Sequence, residues 1–241
     1  MKLSRKILIL ILVLVLIIVP LTPFNLKTMT ASSNIDTRKP VRVGVLLYNF
    51  EDVYFSLLRK NLESIQKENE NEVEFVFFDG KTNAATQHQI IDNMISDSFD
   101  LLLLNIVEPR ESVVEDIINK VRIKNIPVVF FISTIPNLDI IKSYPKAAYI
   151  FSDYKELPIL EGQIIVDALP EVQELIKKGY MLGSVFHDPR TEAEAIYNIG
   201  MNLVAGKNIT EGTNYTIDPL GVMIPADFKI YTIETIPQLP Q

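Results

Sequence analysis

The sequence predicts an open α/β sheet whose strands run parallel and whose helices pack on both faces. Three features carry that expectation. Apolar runs rich in β-branched residues alternate with helix-period stripes through the first half of the chain. The first of them, Val41–Tyr48, is nearly all apolar, as a strand buried on both faces is. The chain, at 241 residues and 48% hydrophobic, is also long enough for a large core.

The elements follow in order. Val41–Tyr48 (VRVGVLLY) reads as the first strand. Asp52 stands at the N-cap position of a helix with Phe55, Leu58, Leu62 and Ile65 on one stripe. Val73–Phe78 is a second strand, ended by Asp79-Gly80. Residues Asn83–Ser96 make a helix with Ile90, Ile91, Met94 and Ile95 inward. Leu101–Leu104 is a third strand with Asn105 at its carboxyl end. Pro109 suits the first turn of a helix carrying Val113, Val114, Ile117, Ile118 and Val121. Pro127–Phe131 is a fourth strand, and such alternation implies right-handed crossovers. Beyond it, Ala148–Phe151 reads as a short strand. A helical pattern over Glu156–Lys178 is interrupted near Pro170, which disfavours helix at the residue before it. Leu182–Phe186 is a strand, and Asp188-Pro189 opens a helix with Ala195, Ile196, Ile199 and Leu203 inward and Gly206 as its stop. Short extended pieces follow at Asn214–Ile217, Gly221–Ile224 and Lys229–Ile233.

Composition removes several function classes. There is no cysteine, hence no disulfide framework, thiolate metal site, Cys nucleophile or lipidated Cys anchor. His88 and His187 lie far apart, so no metal site is expected. The net charge of −7 argues against a nucleic-acid partner. The start of the chain differs from the rest. Lys2, Arg5 and Lys6 precede the apolar run Ile7–Val19, and small polar residues from Thr28 to Ser33 follow, the layout of an export signal. No A-x-A site is present, so cleavage and retention as an N-terminal anchor are both open. Four of the 23 basic residues and none of the 30 acidic ones lie in residues 1–31, so the remainder nets −11. The remainder is expected outside the cytoplasm.

Ligands of open parallel sheets bind at the carboxyl ends of the strands. The polar residues expected there include Asn49, Glu51 and Asp52, then Asp79 and Lys81, Asn105 and Glu108, Ser133 and Thr134, and His187 and Asp188. Carboxylates and amides beside an aromatic such as Tyr54 are the ingredients of a neutral sugar site. Asp52 serves equally well as a plain helix cap, and Tyr54 as helix packing. Asn105 ends a buried strand, where an amide must find partners. Enzyme motifs are absent: no phosphate-binding glycine loop, no G-x-S-x-G and no H-E-x-x-H occur, and no cofactor is expected. His187 beside Asp188 fits a strand end and a helix cap better than acid–base work. Asn208-Ile209-Thr210 and Asn214-Tyr215-Thr216 match the glycosylation sequon, which matters only in a eukaryotic secretory route.

Several runs carry a closer likeness: VRVGVLLYNFEDVYFSLLRKNLE (41–63), LLLLNIVEPRESVVEDIINK (101–120), IPVVFF (126–131), AAYIFSDYKELPILEGQII (147–165), VDALPEVQELIKKGYMLGSVFHD (166–188) and VAGKNITEGTNYTID (204–218). In this order they resemble the galactose/glucose-binding branch of the periplasmic sugar-binding proteins, receptors of ABC uptake and chemotaxis. The resemblance implies a lobe of the periplasmic-binding-protein type and no enzymatic activity. It implies Asp52 as a sugar-binding carboxylate, Tyr54 in place of a stacking Phe, Asn105 as a strand-end amide ligand and Asp167 as a second ligand carboxylate. His187 falls where the family has another Asn.

The departures are as informative. Two full lobes of ~150 residues need about 300, so a truncated second α/β lobe is expected. Glu156–Ile165 resembles that lobe's first helix, whereas Val166-Asp167-Ala168 resembles a segment near its end. The family's His-x-Asp…Arg ligands, its sandwiching Trp and its calcium loop have no counterpart here. The expected division is an N-terminal sugar-binding lobe of 38–131 with 188–225 and a second-lobe remnant of 132–187 with 226–241. Crossings are expected near Phe131, His187 and Ala226. The implied function is extracytoplasmic binding of a galactose- or glucose-type monosaccharide for uptake, chemotaxis or sensing, with an ABC permease, membrane sensor or chemoreceptor as partner. A second reading is a binding-impaired relative that acts as an interaction partner of a membrane sensor or permease. A homodimer would let a second copy supply the missing face.

Overall fold

The computed structural model describes residues 39–152, 174, 177–179, 183–225 and 228–232, with the backbone alone for 183–187 and 228–232. The N-terminal apolar segment, Asp167 and the helix break at Pro170 lie outside the described residues.

Strand β1 (Val41–Leu47) is buried from Val43 onward. The chain turns into α1 (Val53–Glu68) at Asp52, whose Oδ1 accepts the Phe55 N–H at 3.1 Å. Strand β2 (Val73–Asp79) lies parallel to β1, from Val41 opposite Val73 to Leu47 opposite Asp79. Helix α2 (Ala84–Ser96) is capped by Asn83, which accepts the Thr86 N–H. Its first inward position is taken by Gln87 rather than an apolar residue, and Ile90 is only half-buried. Next come β3 (Leu101–Leu104), α3 (Glu111–Lys124) and β4 (Val128–Phe131). Helix α3 starts two residues after Pro109 and stops at Asn125, whose left-handed φ of 58° ends the helix. The five-residue α4 (Leu138–Lys142) was not expected, being too short to show a helical period. It is followed by β5 (Ala147–Ser152).

After the described chain resumes, β6 (Gly183–His187) leads through the cap Asp188 into α5 (Pro189–Val204). The last pieces are β7 (Thr216–Asp218), β8 (Gly221–Ile224) and β9 (Phe228–Thr232). The main sheet has seven strands in the order β2-β1-β3-β4-β5-β8-β7, all parallel except β7, which pairs antiparallel with β8. Strands β6 and β9 form a separate antiparallel pair.

Every residue of β3 and β4 is buried because each side chain meets a helix layer on one face or the other. Leu101, Leu103, Val129 and Phe131 point to α1 and α5, where Leu58, Leu62, Ile65, Ile196 and Ile199 close one core. Leu102, Leu104, Val128 and Phe130 point to α2, α3 and α4, where Met94, Val114, Ile118 and Ile141 close the other. The period of two thus sorts one apolar run into two cores. One boundary shifts from expectation. The chain does not leave the sheet near Phe131, since β5 pairs with both β4 and β8 and the sheet continues to Ser152. The intervening residues 132–146 are the α4 connection, long enough for a parallel crossover.

Gly80, just past β2, sits where a side chain has no room. A Cβ there would lie 2.8 Å from Leu47 O, 3.0 Å from Tyr48 O and 2.6 Å from Gln87 Nε2. Two of these atoms are backbone and cannot rotate aside. Gly80→Ala is expected to lower stability by about 1–3 kcal/mol, the usual range for overpacking, as read by urea unfolding.

Candidate functional site at the strand ends

The strand order reverses between β1 and β3: β2 lies beyond β1 on one side, and β4 beyond β3 on the other. Loops leaving the two carboxyl ends diverge to opposite faces, and the crevice between them is where open α/β sheets hold ligands. Asp52 and Asn105 follow these two strands.

Asn105 is 2% exposed and its amide is heavily engaged. Its Oδ1 accepts the Tyr48 N–H at 3.0 Å, which fixes the exit of β1. Its Nδ2 donates to Ile132 O at 2.6 Å, with Phe131 O at 3.2 Å and Ser133 Oγ at 3.3 Å, which fixes the exit of β4. The clamp continues through Gln87, also buried, whose Nε2 donates to Asn105 O and whose Oε1 accepts the Val107 N–H. Ser133 Oγ accepts the Ile106 N–H at 2.9 Å. Ile132, a β-branched residue, sits at φ 43°, a left-handed conformation that costs about 1–3 kcal/mol and persists only where its surroundings impose it. The bond from Asn105 to its carbonyl is part of that imposition.

The loop after β1 is pinned from β2. Asp79 Oδ1 accepts the N–H groups of Phe50 (3.3 Å) and Lys81 (2.9 Å), and Tyr48 O accepts from Thr82. Asn49 Nδ2 donates to Thr82 Oγ1 at 3.2 Å, and its Oδ1 accepts the Glu51 N–H. Asp52, at the end of this loop, is exposed and spends Oδ1 on the cap of α1. Tyr54 is half-buried in the first turn of α1, its ring edge-on to Phe55 at 5.9 Å. Asp52 and Tyr54 thus follow β1, and Asn105 follows the adjacent strand β3. The structure gives His187 a backbone place opposite Phe228 at the end of β6, while its side chain, like Asp167, lies outside the described residues.

Beside Asn105 and Ser133, a cleft of about 260 Å³ opens at the ends of β4 and β5. Ser133, Thr134, Tyr149, Ser152 and Glu192 line it, and Tyr149 OH donates to Ser133 O at 2.8 Å. Glu192 was missed in the sequence. The signal was there: it stands three and four residues before Ala195 and Ile196, on the same apolar stripe of α5. Burial pushes its carboxyl up to about 8, against the opposing hydrogen bond from Ser152. Among the described residues, no group of three acidic or histidine side chains is placed to hold a metal ion.

Two outcomes follow from this geometry. Asn105→Ala leaves the Tyr48 N–H and the Ile132 carbonyl without their partner, and is expected to cost about 1–3 kcal/mol in urea unfolding. Glu192 makes stability depend on pH in a definite direction. Between about 4.5 and about 8 the unfolded chain has lost this proton while the folded chain keeps it, so stability falls as pH rises through that window. Glu192→Gln is expected to recover stability on the order of a few kcal/mol at pH 8 relative to pH 5, by the same unfolding measurement.

Comparison with known proteins identifies relatives of this chain. Residues 43–171 match the periplasmic binding protein domain. The D-galactose/methyl-galactoside binding periplasmic protein of Haemophilus influenzae is 22% identical, with 76% of this chain and 88% of the relative covered. That alignment spans 294 positions, more than this chain's 241 residues, so the relative carries internal segments with no counterpart here. An ABC transporter solute binding protein from Agrobacterium vitis, solved with bound D-fucose, superposes with a TM-score of 0.60 at 12% identity, covering 81% of this chain and 96% of that one. A mutant XylFII–LytSN complex gives a TM-score of 0.56 at 11% identity, covering 83% of this chain and 100% of the matched one. With the domain matched over more than half its length, the chain belongs to the periplasmic binding protein domain family, whose members bind solutes outside the cytoplasm and are not enzymes.

Proposed function

We propose that the protein binds a monosaccharide of the galactose or glucose type at the ends of β1, β3 and β4, and that it delivers or reports this sugar to an ABC permease. The observation that carries the reading is Asp52. One of its oxygens caps α1, and the side chain is exposed at the carboxyl end of the first strand, beside the switch point of the sheet. A carboxylate so held can accept two vicinal sugar hydroxyls, and Tyr54, two residues on, offers an aromatic face to ring C–H groups. Asn105 belongs to the same row, and Oδ1 keeps a second lone pair beyond the one given to Tyr48. Asp167 and His187 complete the proposed ligand set by resemblance. The D-galactose-binding relative supports the sugar class, and bound D-fucose, a 6-deoxygalactose, in a structural neighbour supports it independently.

In this reading residues 38–152 with 188–225 form the binding lobe, and the segments between and after them are what is left of the second. The basic N-terminal segment directs export, and either cleavage or retention leaves the lobe outside the cytoplasm. Full receptors close two lobes around the ligand and bury about 70–90% of its surface. With few second-lobe contacts, one sugar face stays wet, and two or three missing hydrogen bonds at about 1.5 kcal/mol each move a micromolar site toward millimolar. A second copy placed over the strand ends would restore the cover. The XylFII–LytSN complex favours a second reading, in which the lobe docks on a membrane sensor.

Calorimetry of the exported protein with D-galactose, D-glucose and D-fucose tests the proposal. Millimolar-range binding, weakened roughly ten- to a hundredfold by Asp52→Ala as a charge-assisted bond is lost, is the expected result. Absence of binding by every hexose, or affinity untouched by Asp52→Ala, overturns it.

A further inference from the structure

The cleft at the ends of β4 and β5 contains a group that the assignments above leave unused. Glu192 lines it at 2% exposure. Ser152 Oγ donates to its Oε2 at 3.4 Å, and its Oε1 has no hydrogen-bond partner among the described residues. Buried polar atoms are nearly always paired, so an orphan oxygen in a cleft wall marks a place where a partner arrives. We infer that Glu192 is a ligand-recognition residue whose partner is a donating hydroxyl of a monosaccharide or small polyol held in this cleft. The inference rests on the sugar-binding reading and extends it to a residue that the family resemblance does not assign.

The lining sets the ligand class. Apart from Glu192 it offers hydroxyls, from Ser133, Thr134, Tyr149 and Ser152, against the apolar bodies of Ile132 and Phe151. At about 260 Å³ the cleft falls below the ~300–1,000 Å³ of drug-sized pockets, which suits one sugar ring. An ammonium would bring three donors and a full charge to desolvate, and the lining holds a single carboxyl to receive it. A hydroxyl needs one acceptor. The terminal torsion of a glutamate is broad and two-fold, so its oxygens exchange readily, and the ligand can take one while Ser152 keeps the other.

Among the described residues, Glu192 has no charge partner to compete with the ligand. Strands β3, β4 and β5, against which α5 packs, carry no charged residue. On α5 itself Asp188 caps the helix, and Arg190 is held by Glu194 and by Glu68 of α1. Tyr215, before β7, feels Glu192 and Glu194 and is raised chiefly by burial. A hydroxyl donated to the carboxylate therefore favours its ionised form, and ligand binding should release a proton in the range where Glu192 titrates, about pH 8.

The test is calorimetry of the full chain with D-galactose and D-glucose from pH 6 to 9, in buffers of differing ionisation enthalpy to count protons. Wild type is expected to bind severalfold to tenfold more tightly at pH 9 than at pH 6.5 and to release a proton near pH 8. Glu192→Gln, which keeps an acceptor but cannot ionise, is expected to hold the low-pH affinity at every pH and release no proton. Glu192→Leu is expected to bind severalfold more weakly than either; should it not fold, the Gln profile decides alone. Affinity independent of pH, a dependence that survives in Glu192→Gln, one centred near 6.5 where histidine titrates, or preference for D-galactosamine over D-galactose overturns this inference alone. Absence of any hexose binding by wild type overturns it together with the sugar-binding reading.

Discussion

The carboxyl edge of this sheet depends on one buried amide. A parallel sheet is stitched by backbone bonds along its strands, but at the switch point the strands part and their last N–H and C=O groups lose their neighbours. Asn105 replaces them, accepting from the exit of β1 and donating to the exit of β4. Gln87 extends the same repair to the segment after β3 and to α2. The place of Tyr48 at the exit of β1 and the left-handed Ile132 are held by these few bonds, and Asp79 and Thr82 pin the rest of the loop after β1.

The lobe is assembled from discontinuous chain. Helix α5 supplies Ala193, Ile196, Ile199 and Leu203 to the core beneath β1, β3 and β4, and β8 completes the sheet beside β5. Both come from beyond residue 182, far along the chain from β1–β5. Residues 39–152 alone would expose the α5-facing half of β3 and β4, so folding of the lobe has to await contacts distant in sequence.

Most of the alternation was legible because two-sided burial leaves plain marks: Leu101–Leu104 and Val128–Phe131 can be nothing else in a sheet of this kind. Caps at Asp52 and Asp188 were legible from local sequence, whereas Asn83 was read as the first helical residue and turned out to be the cap. The course past Phe131 was not, since the expected crossing stood there while hydrogen bonding of β5 to β4 and β8, a property of the assembled sheet, carries the sheet to Ser152. At the site, Asn105 was legible as an amide in need of partners, but those partners are backbone groups that no spacing reveals. Glu192 was legible only as an oddity, an acid on the apolar face of α5, whose meaning needs the cleft.

Strand β7 has a consequence for how copies of this molecule meet. An all-parallel sheet ends in an unpaired row of donors and acceptors that invites another sheet to dock. Here the row is closed by three residues running the other way, turned at Pro219-Leu220 and pinned by the bond from Lys142 to Pro219 O. At the far side β2 carries the exposed Glu74. Short, reversed and charged edges discourage growth of the sheet from molecule to molecule.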